Sequence, residues 1–228
     1  MTDYSEMSGR ELTASWEARA AVEMIEAGLG LLPPDNDTPP GYYVVLLLLS
    51  AGLERLLKLV LLIATVHESG WPNGYKDSRL YFRKSHNLVA LARAVAKCSS
   101  GLAEERQDVL HRACENGALL ANVMKTLGDF AARDRYYWLD VAVGEDNLDD
   151  SARGPAEVVW QELELTAMDA IGLGNQRWQG GTQRIVNGAL TQEIREYLRA
   201  LALALTTGDL SGIAVGVEDA VAGFASWS

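Results

Sequence analysis

The chain is poor in the residues that small extracellular or metal-stapled proteins rely on. It has only two cysteines, Cys98 and Cys114, and neither sits in a CxxC or Cys/His spacing. That argues against a secreted disulfide framework and against a zinc site, and leaves two packed thiols of a reducing cytosol. Basic residues are scarce as well. The formal net charge is −11, which speaks against indiscriminate attachment to nucleic acid, because such binding rests on basic surface that neutralises phosphates. No apolar run is long enough for a bilayer. The strongest, residues 42–53, is broken by Glu54, whereas a membrane span needs roughly 20 residues. Carrying it on to Val66 would sink Glu54, Arg55 and Lys58 into lipid. A buried core helix and no membrane contact are therefore expected. Residues 1–11 lack the basic start and apolar run of an export signal, so a cytoplasmic location is expected too.

Catalytic signatures with a fixed grammar are missing. There is no GxxxxGK(S/T) loop, HExxH or GxSxG, and the stretch Gly172-Leu173-Gly174-Asn175-Gln176-Arg177-Trp178-Gln179-Gly180-Gly181 lacks both a preceding strand and phosphate-loop spacing. It reads as a connector. No repeat of fixed period and no alternation long enough for a sheet is present.

What is present is helical periodicity cut by dense breakers. A first helix is expected over residues 8–27, with Leu12, Trp16, Ala20 and Met24 recurring every fourth position. Pro33-Pro34-Asp35-Asn36-Asp37-Thr38-Pro39-Pro40 stops it and holds four of the six prolines. The second helix is expected over 41–67, ending at Glu68-Ser69-Gly70-Trp71-Pro72-Asn73-Gly74. A third should open near Ser85, whose hydroxyl can cap it, with Leu88, Leu91, Ala92 and Val95 on one side. A fourth, over 102–133, carries Val109, Ala113, Leu120, Met124 and Leu127 as a stripe. Further helices are expected over 155–171, with Pro155 suited to the first turn, and over 182–206 and 210–224. The fold expected is all-α: an up-and-down four-helix bundle over residues 8–142, with a C-terminal helical extension over 143–228 packed on it.

Three short polar signals interrupt this pattern in order. Glu54-Arg55-Leu56-Leu57-Lys58 lies within the apolar second helix, Ser85-His86-Asn87-Leu88 opens the third, and Arg133-Asp134-Arg135-Tyr136-Tyr137 closes the fourth. Glu54 and Lys58 stand one turn apart in the favourable order for pairing, so a structural ion pair is the plain reading. His86 reads equally as a helix-start histidine bonded to backbone or as part of a site. The order of the three signals resembles the HEPN superfamily of prokaryotic four-helix bundles. That family has a Glu-Lys pair on a central helix, a (T/S/G)-H-(D/N)-L helix start, and an (A/S)-R-Y-P run after the last helix. The chain departs from the last motif, with Arg135-Tyr136-Tyr137 and no proline.

The resemblance implies a second pattern, a metal-independent ribonuclease motif of an arginine, four to six residues and a histidine. Arg106-Gln107-Asp108-Val109-Leu110-His111 fits it, and the segment from Arg79 to His86 fits as well. Such chemistry needs a group to move the ribose 2′-hydroxyl proton, for which histidine is poised, and a fork to hold phosphate, for which arginine is suited. Arg106 and His111 are thus the candidate catalytic pair, and they also read as surface or capping residues. Gln107 and Asp108 could orient the histidine. Arg79, Arg83 and His86 form the alternative site, within the basic and aromatic run Lys76-Asp77-Ser78-Arg79-Leu80-Tyr81-Phe82-Arg83-Lys84. Residues five apart on a helix lie about 140° apart around its axis, so one protomer would aim Arg106 and His111 differently. A face-to-face dimer, common in the family, could gather two pairs in a cleft.

The function implied is an endoribonuclease acting as a toxin or antiviral defence effector. It would act on RNA as a homodimer, with no cofactor or metal and with an antitoxin or defence-complex protein as possible partner. The alternative is a non-catalytic HEPN-like module that binds a protein or nucleotide within a larger complex, which the acidic charge and the apolar second helix would suit.

Overall fold

The computed structural model describes residues 9–32, 42–69, 86–99, 103–134, 155–174, 180–207 and 217–225. Among these there is no strand. The helices are α1 (Gly9–Gly30), α2 (Tyr42–Ser69), α3 (Leu88–Cys98), α4 (Glu104–Arg112), α5 (Leu119–Asp129), α6 (Pro155–Ala170), α7 (Gly180–Thr207) and α8 (Val217–Ala225), with a π turn over Phe130–Asp134 after α5. No helix among the described residues is long and apolar enough to cross a membrane.

α2 is the axis of the structure. Its 28 residues include Val45, Leu46, Leu49, Leu53, Leu56, Leu57, Val60 and Leu61, all buried. A helix that is apolar on most of its circumference must be wrapped by others, and α2 packs against α1, α3, α5, α6 and the π turn. Each fully buried leucine contributes about 1.5–3 kcal/mol, so this one helix supplies a large share of the folding drive. The C-terminal helices belong to the same core. Trp160, Leu163, Val186, Leu190, Tyr197, Val221 and Phe224 join one hydrophobic cluster with the α1 and α2 side chains, α8 packs on α1 and α7, and α7 reaches α4 and α5.

The face that α1 buries differs from the one its fourfold spacing suggests. Ser15, Ala18, Ala21, Ile25 and Leu29 are buried, whereas Trp16 is 61% exposed. The reason is close approach: a Cβ added at Gly52 would stand 2.7 Å from Ile25 Cγ1 and 2.9 Å from the carbonyl oxygen of Ala21. Backbones this near admit small residues and leave no room for an indole.

The single helix expected over 102–133 is two. α4 ends at Arg112, and Gly117, at φ +90°, turns the chain before α5. Only glycine takes that left-handed conformation without strain, and Asn116-Gly117 was the local signal for it. Most of the expected stripe survives the break: Ala113, Leu120, Met124 and Leu127 are buried, and Val109 is half-buried against the same core. α3 starts later than expected. Its cap is Asn87, whose side-chain oxygen accepts from Ala90 N at 2.9 Å, and Ser85 lies outside the described residues. Leu88, Leu91, Ala92 and Val95 face the core as their spacing requires.

The α1–α2 contact sets a stability prediction. Gly52→Ala should cost about 1–3 kcal/mol through overpacking. Gly188→Ala, where an added Cβ meets nothing within 4 Å on α7, should gain about 0.5–1 kcal/mol from helix propensity. Urea unfolding of the two variants should move the midpoints in opposite directions.

Candidate active site

Three polar groups meet where α2 passes the start of α3. Glu54 Oε1 accepts from Lys58 Nζ at 2.6 Å, and Glu54 Oε2 accepts from His86 Nδ1 at 2.8 Å. Glu54 and Lys58 are largely buried, with side chains 12% and 14% exposed, while His86 lies half open to solvent. Burial alone would raise the Glu54 carboxyl. The hydrogen bonds and charges of Lys58 and His86 outweigh it and hold the group below its ordinary value. An ionised carboxylate only accepts, so Nδ1 of His86 carries the proton on that side and Nε2 is turned away from Glu54. The motif Ser85-His86-Asn87-Leu88 thus does two jobs in adjacent residues: His86 closes onto α2 and Asn87 caps α3.

On α4, His111 is exposed and Arg106 half-buried. They do not share the groove that His111 lines. His111 lines a groove of about 680 Å³ between α3 and α4, together with Arg93, Lys97, Asp108, Arg112, Cys114 and Glu115, and Arg106 is not among its lining residues. Gln107, which does not line the groove either, joins the two helices that form it. Its Nε2 donates to the Ala96 carbonyl at 3.0 Å and stands 3.4 Å from His111 Nε2, so α4 is tied to the end of α3 beside the imidazole. Asp108 lines the groove without bonding the ring. Arg112 is committed elsewhere, to Glu193 at 3.3 Å and Glu196 at 2.8 Å on α7. Arg93 and Lys97 make no ion pair among the described residues, so they are the cations left to meet an anion. Arg93 also borders a second cavity of about 430 Å³ with Asn87, Lys125 and Asp129, in which Lys125 pairs with Asp129 at 2.8 Å.

Arg79 and Arg83 lie outside the described residues, as do residues 135–137 of the third signal. His86, the end of that alternative segment, is bound to Glu54 as described.

The sequence reading missed a polar cluster on α6. Glu164 is 3% exposed, and its Oε1 accepts from Trp160 Nε1 at 2.6 Å and from Gln183 Nε2. Burial is the largest influence on it, and the two neutral donors only partly offset that, so its carboxyl is held above the usual range. Trp160 and Glu164 are one turn apart, but Gln183 comes from a different helix, which no local spacing announces.

No family model, no curated protein and no solved structure matches the chain.

Because Glu54 is held below its ordinary value, it stabilises the fold above the unfolded value of 4.5, and that contribution is lost as pH falls through its folded value. Glu54→Gln leaves Lys58 largely buried without its counter-charge. It should cost about 1–3 kcal/mol at neutral pH, and the gap to the parent should narrow on acidification below 4.5. Chemical unfolding at neutral and acid pH measures both.

Proposed function

We propose that the chain is a HEPN-type, metal-independent endoribonuclease, acting as a toxin or antiviral defence effector, that cleaves RNA in the α3–α4 groove. The observation that carries this reading is the content of that groove. In a chain of net charge −11, it gathers an exposed histidine with two cations that have no acidic partner among the described residues. The α2 ion pair joined to a helix-start histidine accords with the same resemblance.

In this reading His111 accepts the proton of a ribose 2′-hydroxyl. The 2′-oxygen attacks the adjacent phosphorus, the bond to the 5′-oxygen breaks, and that oxygen leaves with a proton from water. The products are a 2′,3′-cyclic phosphate and a free 5′-hydroxyl. Arg93 and Lys97 neutralise the charge that grows on the non-bridging oxygens, and Gln107 ties α4 to the Ala96 carbonyl at the end of α3. Arg106 stands outside the groove of its own protomer, so it would serve only if a second copy brought it across.

That same position favours a second reading, a non-catalytic helical module of HEPN-like shape whose groove holds a partner protein or nucleotide. The two part on one experiment. With a chelator present, single-stranded RNA should be cut, and His111→Ala should lower the rate by about 10²–10⁴-fold. Arg93→Ala should weaken RNA binding and flatten its salt dependence. Arg106→Ala should matter only in a dimer. Unchanged cleavage in His111→Ala removes the proposed site, and RNA left intact by the parent chain favours the module.

A further inference from the structure

The α6 cluster has features that a purely structural hydrogen bond would not need. Glu164 is a carboxylate in a core wall, and both groups that bond its Oε1 are neutral. Its Oε2 has no hydrogen-bond partner among the described residues, and no cation there pairs with it. An unpaired buried carboxylate is costly, and replacing it by an apolar residue would be the easier way to pack a helix.

Glu164 and Gln183 also line a pocket of about 380 Å³, whose other walls are Tyr42, Gln161 and Leu165. Tyr42 stacks on Trp160 with ring centroids 5.6 Å apart and planes at 16°. One aromatic pair therefore backs the pocket while its indole holds the carboxylate. Leu165, 59% exposed, adds apolar surface beside the acid. The volume falls at the lower end of the range for small-molecule sites.

We propose that this pocket binds a small organic cation, an ammonium or guanidinium group seated on Oε2 of Glu164 with its hydrocarbon against Tyr42 and Leu165. The charge answers Glu164, the one carboxylate among the described residues that line the pocket. A metal ion is a poor match, since hard divalent cations ask for several oxygen ligands and Glu164 offers one carboxylate. The elevated Glu164 carboxyl fits a site whose charge is completed by the ligand, because a bound cation favours the ionised form.

The test is calorimetric titration of the whole chain with n-butylguanidinium, n-butylammonium and the neutral isostere n-butylurea. At least one cation should bind, and about tenfold or more tightly than the urea. Glu164→Gln should lose that preference while melting cooperatively. Leu165→Lys changes an exposed side chain and plants an ammonium at the pocket, so it should fold normally and block added cation. Equal binding of n-butylurea, an unaltered preference in Glu164→Gln, undiminished binding in Leu165→Lys, or no binding of either cation at about 10 mM would each overturn the proposal. N-acetylarginine amide distinguishes the source, with tighter binding than n-butylguanidinium pointing to a protein side chain and weaker binding to a free molecule. Either result supports the cation site.

Discussion

A helix covered on most of its circumference can keep a buried charge only where the charge is answered within reach, as α2 does at Glu54. Lys58 answers Glu54 from the next turn of the same helix. His86 answers it from 32 residues further along the chain, and that long-range contact fixes where α3 begins. With its start held at α2 and Leu88, Leu91, Ala92 and Val95 buried, α3 is left with Ala90, Arg93 and Lys97 exposed. Gln107 then ties α4 to the Ala96 carbonyl, which brings His111 beside those cations. The position of the groove follows from the burial of α2, one contact at a time.

The two glutamates set into this core show how environment divides identical side chains. Glu54 has cationic and histidine partners and is held ionised despite its burial. Glu164 has an indole and an amide, which donate without carrying charge, and burial prevails. By linkage, the first adds stability above its unfolded value and loses it in acid. The second adds stability that is full below its unfolded value and is lost as pH rises through its folded value. A carboxylate that works against the fold at neutral pH is a natural place to look for a ligand.

Helix types and breakers were legible because they are local. Apolar spacing carries its own evidence, α1 and α2 fall on either side of the proline run at 33–40, α2 continues to Ser69 where its end was expected at 67, and Glu54 with Lys58 is readable as a one-turn pair. Three things were not legible, each for a physical reason. The buried face of α1 is set by how closely α2 approaches at Gly52, which favoured Ala18, Ala21 and Ile25 over the larger Trp16. The break before α5 hinges on the backbone of Gly117 and was outweighed in the sequence by a stripe that runs through it in phase. Glu164 and Gln183 are 19 residues apart on separate helices, and such a pair exists only once the helices have packed. The candidate site divided along the same line: the local Gln107–His111 neighbourhood could be read from spacing, whereas the partners Arg93 and Lys97 come from another helix.

Net charge and local charge also separate in this molecule. Between exposed charges the field of a protein is screened beyond about 8 Å at physiological salt, so an anion in the groove responds chiefly to the groove's own side chains. The acids of α7 do not oppose it directly, because Glu193 and Glu196 are occupied by Arg112. That pairing anchors α4 to α7 and removes one cation from the groove, leaving Arg93 and Lys97 against Asp108 and Glu115. A phosphate would be held by short contacts without long-range attraction. On the reading proposed above, an acidic protein with such a groove would engage a few phosphates at a defined point and would not coat a nucleic acid along its length.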